Sequence, residues 1–191
     1  LVLSGCLSST DRETAELHVW PDADLAGDEL STRSTSGYFM EIAGGGGRTS
    51  PISWDSKKQP ATASSTGAAE SQSLADVLSC NLAVQGEALP AQHILELILG
   101  RPVRVVCHED NEATIAVVRK GHSPKQRAML RTFKTNMSQL HELITDTDPP
   151  INHVTGKQCG DIVLQHHEGI THKGDLFTKF LEPVKFQKGL G

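Results

Sequence analysis

The hydrophobic pattern predicts a mixed α/β fold: a five-stranded sheet, with three antiparallel strands followed by two further strands, flanked by helices. Three strand-like segments come first, and helical patterns then alternate with two more strand candidates. This order differs from the regular strand and helix repeat of a doubly wound fold. At 191 residues, the chain has the length of one domain that can bury a core without disulfides or metals.

Three antiparallel strands are predicted in the first third of the chain. Residues 16–20 alternate polar and apolar side chains before an acidic turn, so the first strand is expected to end at Asp22. Residues 37–43 form the second candidate, and the glycines at 44–47 suit a tight hairpin that returns over 49–54. These glycines lack the Lys and Ser/Thr of a P-loop, which favours a simple turn over a phosphate cradle.

Helical and β-branched patterns account for the rest of the chain. Small and apolar residues at helical spacing predict a long helix in which Leu74, Val77 and Leu82 share one face. A β-branched run before Glu109 and Asp110 predicts a buried strand that ends in acids. The predicted elements are, in order, the long helix from residue 66, a helix over 91–99, the strand over 103–107, helices over 112–119 and 127–144, a strand over 161–165 and a helix over 173–181.

Composition excludes several classes of protein. The formal net charge of −5 argues against nucleic-acid binding through overall charge, so such binding needs a local basic patch. The cysteines include no CxxC pair, which argues against a zinc ribbon and favours reduced thiols in an intracellular protein. No segment is long and apolar enough to span a membrane. The first residues are expected to end an upstream domain or linker, which favours a piece of a longer polyprotein.

Four carboxylates lie where predicted strands end or helices begin. Asp22 closes the first strand, and Asp110 follows the strand after the long helix. Glu70 lies in the first turns of that helix, and Asp175 lies near the start of the last one. Strand ends and helix starts converge at one edge of such a sheet, so these four acids are expected to meet.

Six segments resemble, in order and spacing, the ribonuclease H domain of copia-type LTR retrotransposons, which is the C-terminal part of a reverse transcriptase polyprotein. They are VWPDADLAGD, STRSTSGYFMEIAGG, ISWDSKKQ, SSTGAAES, EDNEATIAV and KGDLFTK. The resemblance implies a ribonuclease H-like fold over 16–182, with a tail of an upstream domain or linker at 1–15 and a C-terminal tail at 183–191. Ala68 and Ser71 depart from the family pattern around Glu70, and Leu25 replaces its usual tryptophan.

The resemblance also implies a chemistry and its ligands. In the family, the acids at the positions of Asp22, Glu70, Asp110 and Asp175 are metal ligands and catalytic residues. They would hold two Mg²⁺ ions, with Mn²⁺ as an alternative, and the enzyme would hydrolyse the RNA strand of an RNA/DNA hybrid. Hard cations suit carboxylates, and two ions about 4 Å apart can stabilise both the attacking and the leaving oxygen.

Histidines and basic residues complete the predicted site. His166, His167 and His172 precede Asp175, and one of them could assist catalysis by proton transfer; the alternative is a set of exposed loop histidines. A zinc site that includes His172 is a weaker alternative, because its spacing follows no familiar pattern. A phosphate track and a solvated surface are both open interpretations of the basic residues. The candidate nucleic-acid-binding residues are Arg33, Lys125, Arg127, Arg131 and Lys134.

Two hypotheses for the function follow from the sequence. The first is an active hybrid-specific endonuclease whose partners are the RNA/DNA hybrid and the reverse transcriptase domain of the same polyprotein, in a cytoplasmic particle or the nucleus and without a membrane partner. The second is an inactive ribonuclease H-fold module, co-opted as a structural or protein-binding subunit of a protein complex.

Overall fold

A computed structural model describes residues 5–24, 34–59, 68–121, 137–144, 161–179 and 181, with side chains for all of these except 68–71 and 137–138. Five strands in this part of the chain form one sheet, in the order β3-β2-β1-β4-β5. They are β1 (Glu16–Asp24), β2 (Thr35–Ala43), β3 (Thr49–Lys58), β4 (Val105–Glu109) and β5 (Ile162–His166).

The pairing of the strands confirms the predicted fold class. Strands β1, β2 and β3 pair antiparallel, whereas β4 pairs parallel to β1 and β5 parallel to β4. The expectation that the first strand ends at Asp22 is wrong. Asp22 pairs with Gly37, and the ladder continues until Asp24 pairs with Thr35, so Asp22 lies inside the strand.

The helices flank the sheet, and the first of them is longer than the sequence predicts. The described helices are α1 (Ala68–Asn81), α2 (Leu89–Leu99), α3 (Glu112–Lys120), α4 (Met137–Ile144) and α5 (Asp175–Thr178). A π-helical segment, Leu82–Ala88, joins α1 to α2 without a break, so the two predicted helices form one continuous run. Ala83 and Val84 take the buried positions of this segment, and Leu82 is 59% exposed instead of buried.

Alternate residues of β1 face two different environments. Leu17 and Val19 belong to the apolar core, together with residues of the helices and the other strands. His18 and Trp20 lie on the other face, where both rings pack against His108. Side chains along a strand alternate with a period of two, so Asp22 shares a face with Trp20, the face that α5 contacts.

Residues 5–15 pack against the hairpin between β2 and β3. This segment contains a 3-10 helix, Ser9–Glu13, and the guanidinium group of Arg48 donates two hydrogen bonds of 2.8 Å to the carboxylate of Asp11. The hydrogen bonds from Arg48 lower the pKa of Asp11 to about 2. The domain boundary at residue 16 stays a prediction. None of the helices in the described part of the chain has the length and hydropathy that a membrane crossing requires.

Candidate functional site

Two buried carboxylates meet where β1 passes the start of α5. Asp22 and Asp175 are 2% and 1% exposed. The ammonium nitrogen of Lys179 lies 3.1 Å from Asp22 Oδ1 and 2.5 Å from Asp175 Oδ1. The Thr178 hydroxyl donates to the second carboxylate oxygen of Asp22. Burial alone would lower the pKa of Lys179, but the two carboxylates raise it above its ordinary value, so one positive charge bridges both acids.

Glycines allow α5 to approach the sheet this closely. A Cβ atom on Gly174 would lie 2.8 Å from Asp22 Cβ and 2.8 Å from the carbonyl oxygen of Trp20. Gly37 is the partner of Asp22 in β2, and a Cβ atom there would lie 2.7 Å from the methyl group of Thr178. Substitution of Gly174 would therefore push α5 away from β1, and substitution of Gly37 would push α5 away from β2.

His172 adds an imidazole to the two acids. Its side chain is 1% exposed, and Asp22, His172 and Asp175 each offer one ligand atom within 4.8 Å of the others. The ring atom Nε2 lies 3.1 Å from the carbonyl oxygen of His108. A carbonyl can only accept, so Nε2 carries the proton and Nδ1 presents its lone pair. Buried Nδ1 has no hydrogen-bond partner among the described residues.

A cavity of about 360 Å³ opens beside Asp22 and brings a third predicted acid to the site. Asp110 directly follows β4 and lines this cavity together with Asp22. The complete lining is Asp22, Gln72, Asp76, Asp110, Asn111, Glu112 and Lys179. Asp22 therefore stands between Asp175, on one side, and Asp110, on the cavity side.

Asp76 is a carboxylate of this cavity that the sequence analysis does not select. It lies in α1, where Gln72 donates a 2.7 Å hydrogen bond to its Oδ1 and Asn111 donates a 2.8 Å hydrogen bond to its Oδ2. Burial raises the pKa of Asp76 to about 7, although both amide groups oppose the shift. In the sequence, Asp76 is one of 23 Asp and Glu residues, and no signal separates it from a surface carboxylate.

The other predicted residues differ in how far the structure places them. Glu70 belongs to α1, but its side chain lies outside the described residues. His166 ends β5 and is exposed, and neither it nor His167 lines the cavity. His167 is half-buried, and its Nε2 lies 3.1 Å from the Thr171 hydroxyl. The predicted nucleic-acid-binding residues Arg33, Lys125, Arg127, Arg131 and Lys134 all lie outside the described residues.

The chain is similar to proteins encoded by transposons and to an effector protein. It is 41% identical over 66 residues to the retrovirus-related Pol polyproteins from transposons RE1 and RE2 of Arabidopsis thaliana, a match of 35% of this chain and 4% of each polyprotein. It is 43% identical over 70 residues to secreted RxLR effector protein 161 of Plasmopara viticola, a match of 37% of this chain and 46% of the effector. The chain thus spans less than half of each relative. No family model matches it.

Solved structures of ribonucleases H align with most of the chain at low identity. LC11 ribonuclease H1, isolated from compost by a metagenomic approach and crystallised with an RNA/DNA hybrid, has a TM-score of 0.48 at 11% identity over 92% of this chain and 100% of that one. The protease-reverse transcriptase of prototype foamy virus has a TM-score of 0.39 at 10% identity, over 100% of this chain and 21% of that one.

The five strands, three antiparallel and then two more, agree with the fold class that the sequence predicts, and the structure adds that the last two strands pair in parallel. The matches to two Pol polyproteins come from the class of element that the sequence segments indicated. A stretch of 66 residues in the chain is therefore similar to the retrovirus-related Pol polyproteins of transposons, and the described residues have a mixed α/β fold with one five-stranded sheet.

Proposed function

We propose that this chain is a ribonuclease H, a metal-dependent endonuclease that hydrolyses the RNA strand of RNA/DNA hybrids during retrotransposon reverse transcription. One observation carries the proposal. Asp22, on the central strand of the sheet, lies within 4.8 Å of the buried Asp175 carboxylate and lines an open cavity together with Asp110. Three acids that are far apart in sequence thus lie in one region of the fold, which supports a catalytic site there.

The donor set fits divalent metal ions. Asp22 and Asp175 already hold a positive charge between them, and the buried Nδ1 of His172 has no hydrogen-bond partner among the described residues. Asp22, Asp110 and Asp175, with Glu70 of α1, would hold two Mg²⁺ or Mn²⁺ ions. Such ions supply an activated water and stabilise the charge that builds on the phosphate oxygens.

The protein fixes the acids before any substrate arrives. The Ser79 hydroxyl donates a 2.6 Å hydrogen bond to the carbonyl oxygen of Asp22, which ties β1 to α1. Asn111 caps α3 through a 3.0 Å hydrogen bond from Ala113 N–H and also holds Asp76. Asp110 is the residue before this cap, so its backbone position is set by the start of α3.

The remaining parts of the proposal concern partners. The RNA/DNA hybrid is the proposed substrate, and the reverse transcriptase domain of the same polyprotein is the proposed partner, in a cytoplasmic particle or the nucleus. Arg33, Lys125, Arg127, Arg131 and Lys134 are the proposed contacts to phosphates. The similarity to two Pol polyproteins supports this setting.

A hybrid-cleavage assay tests the proposal. The wild-type chain should cut the RNA strand of a labelled hybrid in Mg²⁺ or Mn²⁺ and stop when EDTA is added. Asp110→Asn keeps the shape of the side chain but removes a charged ligand, so cleavage should fall by about 1000-fold or more, which corresponds to about 4 kcal/mol of transition-state stabilisation.

The control is Asp161→Asn, which removes the carboxylate that pairs with Arg104 at the surface and should leave cleavage within a few-fold of wild type. An Asp110→Asn protein that cuts at a wild-type rate would remove Asp110 from the site. A folded wild-type chain that cuts no hybrid in either metal would favour the inactive module.

A further inference from the structure

We propose that Asp22, His172 and Asp175 form a mixed nitrogen and oxygen metal site, in which Nδ1 of His172 binds a first-row transition ion such as Mn²⁺ in preference to Mg²⁺. This inference rests on the proposed function and deepens it, because it adds an imidazole ligand to a site that the sequence analysis assigns to carboxylates alone.

Nδ1 of His172 carries a buried lone pair without a partner among the described residues. The side chain of His172 is 1% exposed. An unsatisfied buried polar group costs about 1 to 3 kcal/mol of folding free energy. A cation held by the two neighbouring carboxylates could satisfy this lone pair, because one ring nitrogen of His172 lies within 4.8 Å of a carboxylate oxygen of each acid, and Nε2 is already bonded to a carbonyl oxygen.

A backbone carbonyl orients the ring of His172. Nε2 donates to the carbonyl oxygen of His108 at 3.1 Å, which fixes the tautomer with its lone pair on Nδ1. Histidine ligands of metals commonly donate their other ring N–H group to a backbone carbonyl in this way. His172 is therefore oriented as a ligand before an ion binds.

A nitrogen ligand at this site favours some metal ions over others. Mg²⁺ prefers a shell of hard oxygen ligands, whereas imidazole favours first-row transition ions. Mn²⁺ shares the carboxylate preference of Mg²⁺ but is a transition ion, so one nitrogen beside Asp22 and Asp175 should raise the affinity for Mn²⁺ more than that for Mg²⁺. The ammonium group of Lys179, which now bridges the two carboxylates, would leave when the ion enters.

Two measurements on the purified chain test the inference without relying on activity. Electron spin-echo spectra of the Mn²⁺-loaded wild type should show modulation from a directly bound imidazole nitrogen. Titration of free Mn²⁺ by electron paramagnetic resonance, and of Mg²⁺ by calorimetry, gives the two dissociation constants. His172→Gln keeps an amide donor near His108 and removes Nδ1, so it should weaken Mn²⁺ binding by about tenfold and leave Mg²⁺ binding nearly unchanged.

The matched control is His167→Gln, because this histidine ring lies 6.1 Å from that of His172 but is not among the three ligand-type side chains. It should keep both the wild-type Mn²⁺ affinity and the nitrogen modulation. Mn²⁺ binding without nitrogen modulation in the wild type would overturn this inference and leave the proposed nuclease standing, even if His172→Gln does not fold. A wild type that binds neither ion would overturn both proposals.

Discussion

The acidic site, formed by Asp22, Asp76, Asp110 and Asp175, accommodates negative charge differently on the side of α5 and on the side of α1. On the side of α5, Asp22 and Asp175 share the ammonium group of Lys179. On the side of α1, the amide groups of Gln72 and Asn111 hold Asp76, and burial raises the pKa of Asp76 to about 7. A cation that enters the first side must displace an ammonium group, whereas one that enters beside Asp76 must compete with a proton.

Of the substitutions proposed here, removal of the Lys179 ammonium group should lower the free energy of unfolding most. Lys179→Met leaves two buried carboxylates facing each other, and the loss of one partner of a buried ion pair costs about 3 kcal/mol or more. Urea denaturation in a chelating buffer measures the change in the free energy of unfolding. Added Mn²⁺ should restore more stability to this variant than it adds to the wild type, because the ion no longer competes with Lys179.

Lys57→Met is the control for Lys179→Met. Lys57 pairs with Asp55 at an exposed position, so its loss should change the free energy of unfolding by less than about 1 kcal/mol. Equal stability of the Lys179 and Lys57 variants in the chelating buffer would contradict the role given to the buried ammonium group.

A methyl group at Gly174 should separate α5 from β1. The added Cβ would lie 2.8 Å from the Trp20 carbonyl oxygen, so Gly174→Ala should cost about 1 to 3 kcal/mol and weaken Mn²⁺ binding as Asp175 moves from Asp22. Gly86→Ala is the control, because its Cβ would meet nothing within 4 Å. That variant should keep or increase stability. If Gly174→Ala binds Mn²⁺ as tightly as wild type, the close approach of α5 to β1 does not position Asp175 beside Asp22.

Asp76 should give a smaller effect that depends on pH. Its folded pKa of about 7 lies above its unfolded value, so between about pH 4 and about pH 7 the native state binds more protons than the unfolded chain. The contribution of Asp76 to the free energy of unfolding therefore falls as pH rises through this window, by at most about 1.4 kcal/mol per pH unit.

Asp76→Asn should remove this contribution, so the difference in stability between the variant and the wild type should shift in favour of the variant as pH rises. Urea denaturation at several pH values in a chelating buffer measures the difference. Parallel curves for the two proteins across the window would show that Asp76 does not titrate as its burial requires.

The sequence predicted the framework of the molecule because local patterns encode it. The alternation of polar and apolar residues before Asp22 located the strand that contains this acid. The β-branched run before Asp110 located the strand that Asp110 follows. The break predicted between residues 82 and 91 is absent, because the π-helical segment Leu82–Ala88, which contains Gly86, continues directly into α2, which contains Pro90.

Lys179 and Asp76, the parts of the site that the sequence analysis did not predict, depend on contacts that sequence spacing does not encode. Lys179 meets Asp22 across 157 positions of the chain, and Asp76 meets Asn111 across 35. Three histidines precede Asp175 within ten residues, and only the packing of the loop distinguishes buried His172 from exposed His166. Tertiary packing therefore selects among candidates that local sequence leaves equivalent.

The central claim is that acids distant in sequence form one cation site, and thermal unfolding with and without divalent metal tests it most directly. A cation at about 100 times its dissociation constant adds about 2.7 kcal/mol to native stability, so Mn²⁺ or Mg²⁺ should raise the Tm of the wild type at neutral pH. A variant with both Asp22→Asn and Asp110→Asn should show no such rise. An unchanged wild-type Tm, or an equal rise in the double variant, would contradict the account.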